Sequence, residues 1–527
     1  MTPRGENENV ARAAGIVGLA TMLSRIFGFI RDMVVAAFFG AGIATDAFFV
    51  AFRIPNLLRR LLGEGSLTVA FIPVFTEYLK TKSRESALEL ASIALTFLSI
   101  VLVLVSLAGV LLSPLIVSLM APGFIKNPDQ FDLAVFLTRL MFPYIFFISL
   151  VALCMGILNS LRHFAAPALS PVILNISMIL STLLLHRCFQ QPITALAIGV
   201  MLGGVLQLAM QWPFMVKMGA RLKPNFSFQH PGMKRIGRLL IPTLVGSGIY
   251  QINIFIGTIL ASMLPKGSVS FLYYADRVVE LPLGVFAIAV GTASLPSLSA
   301  QVAKGLFDDF KQTISFSLRL ILFITVPATV ALIALREPIV SVLFQRGAFD
   351  AYSTRMTAQA LLYYTLGLWA FSVIRVIDSA FFSLQDRRSP LKAAFVSLLV
   401  NVGLSILLMF PLKHGGLALA TSAASAVNVL MLSFILRKKV GSYLNQRFYA
   451  SLVKTFLASA SMAASIYLVS LVFPWNIEAS FHVRVLFLTY CIAAGILTFF
   501  GASFLLKSDE MVSILSLIRR KMKSSAH

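Results

Sequence analysis

Apolar stretches of roughly 20 residues recur along the whole chain, and each is long enough to cross a bilayer core of about 30 Å as a helix. Of the 527 residues, 58% are hydrophobic and only 12% are charged. Polar groups are therefore too few to coat a soluble particle of this size. We predict an all-α polytopic membrane protein with about fourteen transmembrane helices.

The predicted helices follow these apolar stretches, and two of them contain breaks. They lie at 11–37, 46–79 (broken), 87–114, 132–157, 166–185, 193–216, 236–262, 269–300 (broken), 313–335, 355–382, 392–411, 415–436, 449–472 and 482–506. The first stretch contains Arg25, Arg31 and Asp32, and no small-residue cleavage site follows it. We therefore expect a retained helix rather than a signal peptide.

Positive charge is distributed unevenly between the two ends of the predicted helices. Of the 44 lysines and arginines, 26 fall on the side that holds both termini and 7 on the opposite side. This is the positive-inside pattern, which predicts that both termini lie in the cytoplasm. The net charge of +23 therefore reflects topology and not a nucleic-acid-binding surface.

The sequence contains no arrangement typical of an enzyme or a metal site. Its three cysteines and six histidines are dispersed, without metal-ligand spacing, and there is no Walker A motif. We expect a transporter that needs no cofactor and no metal. Its energy would come from the substrate gradient, the membrane potential, or a coupling ion such as a proton or sodium, and the sequence does not decide between them.

The chain is internally duplicated with an offset of 223 to 224 residues. The segment AFFVAFR (47–53) matches FLYYADR (271–277), and Ile72-Pro73 matches Leu295-Pro296. Two parallel six-helix repeats are typical of a transporter whose bundles rock about a shared site. We therefore predict an N-terminal lobe (1–224), a C-terminal lobe (225–440), two additional helices (441–510) and a basic cytoplasmic tail (511–527).

Broken helices at matched positions in two repeats point to a substrate site. From Asp46 to Lys80 one straight helix would be about 50 Å long, more than a bilayer needs. Breaks are expected at Pro55, Gly63 and Gly65, and in the counterpart at Pro282, Gly284 and Gly291.

Charged residues concentrate in the first two predicted helices of each half, where their burial in a bilayer would be costly. Arginines outnumber acids in this set, which holds Arg25, Arg31, Arg53, Arg59, Arg60 and Arg277 with Asp32, Asp46, Glu64, Asp276 and Glu280. Because a guanidinium pairs bidentately with phosphate oxygens, an excess of arginine indicates an anionic substrate. The alternative is internal ion pairing, for example of Arg31 with Asp46 or Arg277 with Glu280.

Several runs of residues resemble the MurJ (MviN) family of the MOP transporter superfamily. The resemblance lies in SRIFGFIRD (24–32), FGAGIATDAFFVAFRIPNLLRRLLGEG (39–65), APGF (121–124), PALSPVILNISMI (167–179), GGVLQL (203–208) and SVSFLYYADRVVELPLGVF (268–286). It covers residues 12 to 506. The family's members are flippases of lipid II, the undecaprenyl-diphosphate-linked precursor of peptidoglycan.

The resemblance implies a role for each matching residue. Arg25, Arg31 and Arg277 would bind the substrate diphosphate, with Arg59 as a further cation. Asp46, Ser270 and Glu280 would be polar residues of the same cavity. From their charge and position in the sequence, and not from the resemblance, Arg53, Arg60, Glu64 and Asp378 are secondary candidates, and Asp46, Glu280 or Asp378 would be able to bind a coupling ion. The last two helices would form a groove for the polyprenyl tail.

The resemblance also implies a monomer in the bacterial inner membrane, with lipid II and membrane lipids as its partners. A flippase for another polyprenyl-diphosphate-linked glycan would need the same arginines and stays an alternative. A cationic drug exporter would need an acidic or aromatic cavity instead, and a scaffold would not need so many intramembrane charges.

Overall fold

The computed structural model describes the backbone of residues 3–58 and 67–512, and the side chains of those residues except 3–14, 58, 67–69, 242–250 and 285. All regular structure in this part of the chain is helical. The helices form two compact units, Met1–Ser270 and Phe271–His527. The boundaries inferred from the duplication, at 224, 440 and 510, stay predictions.

The first unit contains ten helices among the described residues. They are α1 (Pro3–Phe39), α2 (Ile43–Leu58), α3 (Leu67–Thr81), α4 (Arg84–Leu111), α5 (Ser113–Met120), α6 (Pro128–Met141), α7 (Tyr144–Ser160), α8 (Ala165–Leu185), α9 (Thr194–Lys217) and α10 (Pro231–Ser262). A 3₁₀ turn, Pro122–Lys126, follows α5. Helix α11 (Ser268–Pro282) begins at the end of this unit and continues into the second.

After α11, a π-helical turn, Leu283–Ala287, leads into the helices of the second unit. They are α12 (Ile288–Ala303), α13 (Phe307–Ala334), α14 (Arg336–Phe344), α15 (Ala351–Thr365), α16 (Leu368–Ser383), α17 (Arg388–Leu412), α18 (His414–Val440), α19 (Gln446–Val472) and α20 (Phe481–Leu505).

Helix starts repeat along the chain with the offset expected from the duplication. Helices α4, α5, α6 and α8 begin at Arg84, Ser113, Pro128 and Ala165, and α13, α14, α15 and α17 begin 223 residues later in each case. Even the short helices α5 and α14, which the sequence analysis did not separate, follow this offset. The two repeats of the sequence therefore encode the same succession of helices.

Many of these helices are long and apolar enough to cross a membrane. Among the described residues, nine segments meet that standard, and α15 with α16 forms a tenth that is bent by 41°. Leucines and valines on their outer faces stay exposed, as Leu184 (71%) and Val472 (82%) do. Exposed apolar surface of this extent fits a lipid environment. The all-helical polytopic class is confirmed, and a total of about fourteen crossings is consistent with these segments.

Two predicted unbroken helices are interrupted in the structure. The first is divided between α6 and α7 by Phe142 and Pro143, because proline lacks the N–H that would continue the helix. The second ends at Thr365 and resumes at Leu368. There Gly367 lets the backbone of α18 approach closely, and Ser422 of α18 donates hydrogen bonds to the carbonyls of Tyr363 (2.7 Å) and Tyr364 (3.2 Å). This hydroxyl compensates for backbone bonds lost at the bend.

The predicted breaks in helices two and eight have different outcomes. In helix two, Pro55 lies inside α2, which remains a helix to Leu58, while Gly63 and Gly65 lie outside the described residues. In helix eight, Pro282 is followed by the π-helical turn, so the chain stays helical with shifted hydrogen bonding. Proline removes one backbone donor, and a π turn accommodates that loss without ending the helix.

The glycine of the APGF motif is required by a close backbone approach. A Cβ atom on Gly123 would lie 2.0 Å from the carbonyl oxygen of Ser262 at the end of α10. The Gly123 amide also donates a 3.3 Å hydrogen bond to the Ser262 hydroxyl. This motif therefore fixes α10 against the 3₁₀ turn within the first unit.

Candidate functional site

The Arg31 guanidinium is held inside the first unit by two polar side chains. Arg31 is only 9% exposed, and its Nη2 lies 2.7 Å from Oδ1 of Asp32. Its Nη1 donates to Oδ1 of Asn175 on α8 at 2.9 Å. A buried charge is tolerated when it is paired and hydrogen-bonded in this way. The partner of Arg31 is therefore Asp32 and not Asp46, which the ion-pairing alternative had suggested.

Asn175, which contacts Arg31, is a candidate site residue that was not selected from the sequence. Its Nδ2 donates to the carbonyl of Ser24 at 3.2 Å, so its amide bridges two turns of α1 and orients Arg31. Asn175 is 6% exposed in a helix whose other polar side chains are the hydroxyls of serines and a threonine. A buried amide in a membrane helix is costly without hydrogen bonds, and that was the available signal.

Asp46 lies in the first turn of α2 and accepts hydrogen bonds from the start of α11. Its carboxylate receives the Gly267 amide at 2.7 Å, the Ser270 amide at 2.8 Å and the Ser270 hydroxyl at 2.6 Å. Asp46 is 2% exposed and Ser270 is fully buried. The amides at a helix N-terminus are unsatisfied donors with partial positive charge, so a carboxylate is stabilised there. The structure thus brings together two of the predicted site residues.

Arg53 extends from α2 toward α10 within the first unit. Its Nη1 donates to the carbonyl of Ile254 at 3.3 Å and also to the hydroxyl of Thr258. A guanidinium has five donors. These two hydrogen bonds to α10 occupy part of the donor set of Arg53.

Arg277 in α11 is paired on its own helix. Its Nη1 lies 2.7 Å from Oε2 of Glu280, one turn later, and its Nη2 donates to the hydroxyl of Tyr273 at 3.2 Å. The guanidinium also lies over the Tyr273 ring, 5.0 Å from its centroid. This ion pair is the one that the alternative interpretation expected. Both side chains stay partly exposed, at 31% for Arg277 and 49% for Glu280, so the pair is accessible to a competing anion.

Arg25 differs from the other arginines of the set. It is exposed on α1, and no side-chain partner lies within hydrogen-bond or ion-pair distance in the part of the chain that the structure describes. Asp378 is half-buried on α16, one turn after Arg375. Arg59, Arg60 and Glu64 lie outside the described residues.

No group of three or more potential metal ligands occurs among the described residues. The charges that are described are mainly arginines with individual acidic or amide partners. Guanidinium groups with such partners have the geometry to accept other oxyanions in their place.

Comparison with known proteins gives a consistent result for both sequence and fold. The family described as "Lipid II flippase MurJ" matches residues 35–488. A protein of Buchnera aphidicola subsp. Acyrthosiphon pisum, described as "Probable lipid II flippase MurJ", is 38% identical over 462 residues, which cover 88% of this chain and 90% of the relative.

Two solved structures are also similar. One, titled "Lipid II flippase MurJ, inward closed conformation", has a TM-score of 0.80 and 30% identity, and the likeness covers 94% of this chain and 99% of that one. A multidrug resistance MATE family transporter of the MOP superfamily, in an inward-facing conformation, has a TM-score of 0.61 at 15% identity over 82% of this chain and 98% of its own. At that identity the second likeness shows the fold alone.

Proposed function

Because the chain belongs to the MurJ lipid II flippase family, we propose that it moves lipid II from the cytoplasmic to the periplasmic leaflet of a bacterial inner membrane. The family consists of transporters rather than enzymes, and the chain is a multi-pass membrane protein. The observation that carries the proposal is the likeness in sequence and fold over nearly the whole length to a lipid II flippase. In this proposal both termini lie in the cytoplasm, and the protein acts as a monomer.

The substrate diphosphate is proposed to bind Arg25, Arg31 and Arg277, with Arg59 as a further cation. Arg25 has no competing partner among the described residues, so it would make the first contact with the phosphates. Arg31 and Arg277 form ion pairs of 2.7 Å with Asp32 and Glu280. These carboxylates would balance the two positive charges while no substrate is bound. Binding would then exchange carboxylate oxygens for phosphate oxygens, because both accept the same guanidinium geometry.

Transport is proposed to proceed by alternating access of a central arginine-lined cavity. The interruptions at Pro143 and Gly367 and the π-helical turn after Pro282 support this, because helices deform most easily where the backbone hydrogen-bond ladder is already broken. The matching succession of helices in the two repeats supports it further, since rocking of one repeat against the other is the usual motion of duplicated transporters. The polyprenyl tail would lie along α19 and α20.

Energy is proposed to come from the membrane potential, without a cofactor. Outward movement of a diphosphate is favoured by an inside-negative potential, by about 2.3 kcal/mol per 100 mV for each uncompensated charge. A proton or a sodium ion bound at Asp46, Glu280 or Asp378 would be an alternative driver of the return step. Asp46 already accepts three hydrogen bonds, which makes it the least available of these three carboxylates.

The direct test of function is depletion of the protein in growing cells. Lipid II should accumulate in the inner leaflet, which is measured by its inaccessibility to a periplasmic enzyme that cleaves it. Arg25→Ala, Arg31→Ala and Arg277→Ala should each fail to restore growth while inserting in the membrane, whereas Lys at these positions should restore it partially. Arg355→Ala, on the exposed face of α15, is the matched control and should restore growth fully. Accumulation of a different lipid-linked glycan, with lipid II distributed normally, would contradict the proposal.

A further inference from the structure

Two arginines, Arg346 and Arg484, are held on the same turn of α14 at one end of the second unit. Arg484, in the first turn of α20, is 9% exposed and donates from Nη1 to the hydroxyl of Ser341 at 2.7 Å. Arg346 follows α14 and donates from Nη2 to the carbonyl of Val342 at 2.7 Å. None of the proposed substrate contacts uses either residue.

No carboxylate neutralises this pair. In the described residues, no acid lies within ion-pair distance of either guanidinium, although Glu337 and Glu478 belong to the same end of the unit. Burial lowers the pKa of Arg346, and the positive charge of Arg484 lowers it further. Two like charges held together at low exposure are electrostatically unfavourable unless an anion joins them.

Three buried N–H groups at this end of the second unit have no hydrogen-bond partner among the described residues. They are Nε of Arg346, Nε of Arg484 and Nε1 of Trp475. Arginine and tryptophan side chains have donors and no acceptors. Buried polar groups in proteins are nearly always satisfied, so these donors favour a ligand with hydrogen-bond acceptors.

A cavity of about 330 Å³ lies at the same end of the second unit, and its mainly apolar wall also includes Arg336 and Glu337. Its walls include Leu335, Ile466 and Phe487, and Trp475 closes one side with its ring 5.2 Å from that of Phe487. Phe487 is one helical turn from Arg484 on α20, which connects the cavity wall to the arginine pair through one helix. Tyr467, which also lines the cavity, is 63% exposed on the outer face of α19. The cavity therefore opens toward the surroundings of the bundle, where the lipid acyl chains would lie.

We propose that this end of the second unit binds one anionic phospholipid of the outer leaflet, with its phosphate on Arg346 and Arg484 and an acyl chain in the cavity. The phosphate supplies the acceptor oxygens that the three N–H groups lack, and guanidinium pairs are well suited to it. The cavity supplies the apolar contact that a free anion would not need. In the predicted topology, which belongs to the proposed function, residues 335–350 and 473–480 lie opposite the cytoplasmic termini, so the proposed site faces the outer leaflet. The bound lipid would hold α19 and α20 against α13 and α14.

The fluorescence of Trp475 tests this proposal in the full-length protein. The chain has three tryptophans, so Trp212→Phe with Trp369→Phe leaves Trp475 as the only one. The variant with Trp475 as its one tryptophan is purified in a neutral detergent and titrated with phosphatidylglycerol that carries brominated acyl chains. Bromine atoms quench tryptophan fluorescence on contact. Phosphatidylcholine with the same brominated chains is the headgroup control, and inorganic phosphate is the free-anion control.

Phosphatidylglycerol should quench saturably, with a midpoint about tenfold or more below that of phosphatidylcholine. Arg346→Gln with Arg484→Gln should raise that midpoint by about tenfold or more, whereas Arg355→Gln, on the exposed face of α15, should leave it unchanged. Equal midpoints for the two lipids would overturn the proposal, and this comparison needs no change to the arginines. Displacement of the brominated lipid by millimolar inorganic phosphate would overturn it in favour of a free-anion site.

Discussion

The hydroxyl of Ser270 donates a 2.6 Å hydrogen bond to the carboxylate of Asp46, across 224 residues of sequence. The amides of Gly267 and Ser270 donate to the same carboxylate, so three hydrogen bonds connect α2 with the start of α11 within the first unit. All three donors serve a single buried charge. The stability of this arrangement can be measured separately from transport.

Ser270→Ala should destabilise the protein more than Ser268→Ala does. Ser270 donates to a buried carboxylate, and hydrogen bonds to charged groups contribute about 1.5–3 kcal/mol. Ser268 is equally buried and lies on the same turn, but it donates to the neutral carbonyl of Pro265, for which about 0.5–1.5 kcal/mol is expected. Thermal unfolding of the purified variants should show the larger decrease in Tm for Ser270→Ala. Equal decreases would mean that the Asp46 charge is not stabilised by this hydroxyl.

Asn175→Ala should lower flipping without preventing insertion, because Arg31 loses the amide that orients its Nη1. The matched control is Ser177→Ala on the same helix, whose hydroxyl donates to the carbonyl of Gly199 at 2.8 Å and does not contact Arg31. Complementation of depleted cells at equal expression is the measurement. Full activity of Asn175→Ala would show that the Asn175 amide is not needed to position Arg31.

Glu510→Gln should destabilise the protein more than Asp509→Asn. Both carboxylates pair with Arg319 of α13, at 3.2 and 3.3 Å, but Glu510 is 1% exposed and Asp509 is 69% exposed. Removing one partner of a buried ion pair costs about 3–5 kcal/mol because the other charge stays buried, whereas an exposed ion pair contributes about 0–1 kcal/mol. Denaturation in detergent compares the two variants. A larger effect from Asp509→Asn would reverse the assignment of Glu510 as the main partner.

Flipping should depend on the membrane potential. Two steps would respond in the same direction: outward movement of the diphosphate, and return of an empty cationic cavity toward the negative interior. Dissipating the potential while the proton and sodium gradients are held constant should therefore arrest flipping in cells. An undiminished rate under these conditions would exclude the potential and favour a coupling ion.

The helical class and the order of the spans could be predicted because apolar length and the duplication are properties of one continuous sequence. The short helices α5 and α14 and the interruption at Gly367 could not, since they depend on contacts between distant segments. The chain bends at Gly367, for example, where the hydroxyl of Ser422 on another helix supplies hydrogen bonds in place of the backbone.

The residues of the candidate site were selected by residue type, whereas most of their contacts could not be predicted. Arginines inside apolar stretches are conspicuous, so Arg25, Arg31, Arg53 and Arg277 could be selected from the sequence. The Asn175 contact to Arg31, 144 residues away, leaves no local pattern. The ion pair of Glu280 with Arg277 could be anticipated because residues three apart meet on a helix surface.

The role of the arginines is tested most directly with purified protein in liposomes that contain fluorescent lipid II in both leaflets. A membrane-impermeant reagent destroys the outer label, and the fraction that later becomes accessible gives the rate of flipping. The wild-type protein should flip lipid II faster than protein-free liposomes, and Arg25→Ala with Arg31→Ala and Arg277→Ala should reduce the rate to that of protein-free liposomes. A triple variant that flips at the wild-type rate would contradict the binding of the diphosphate by these residues.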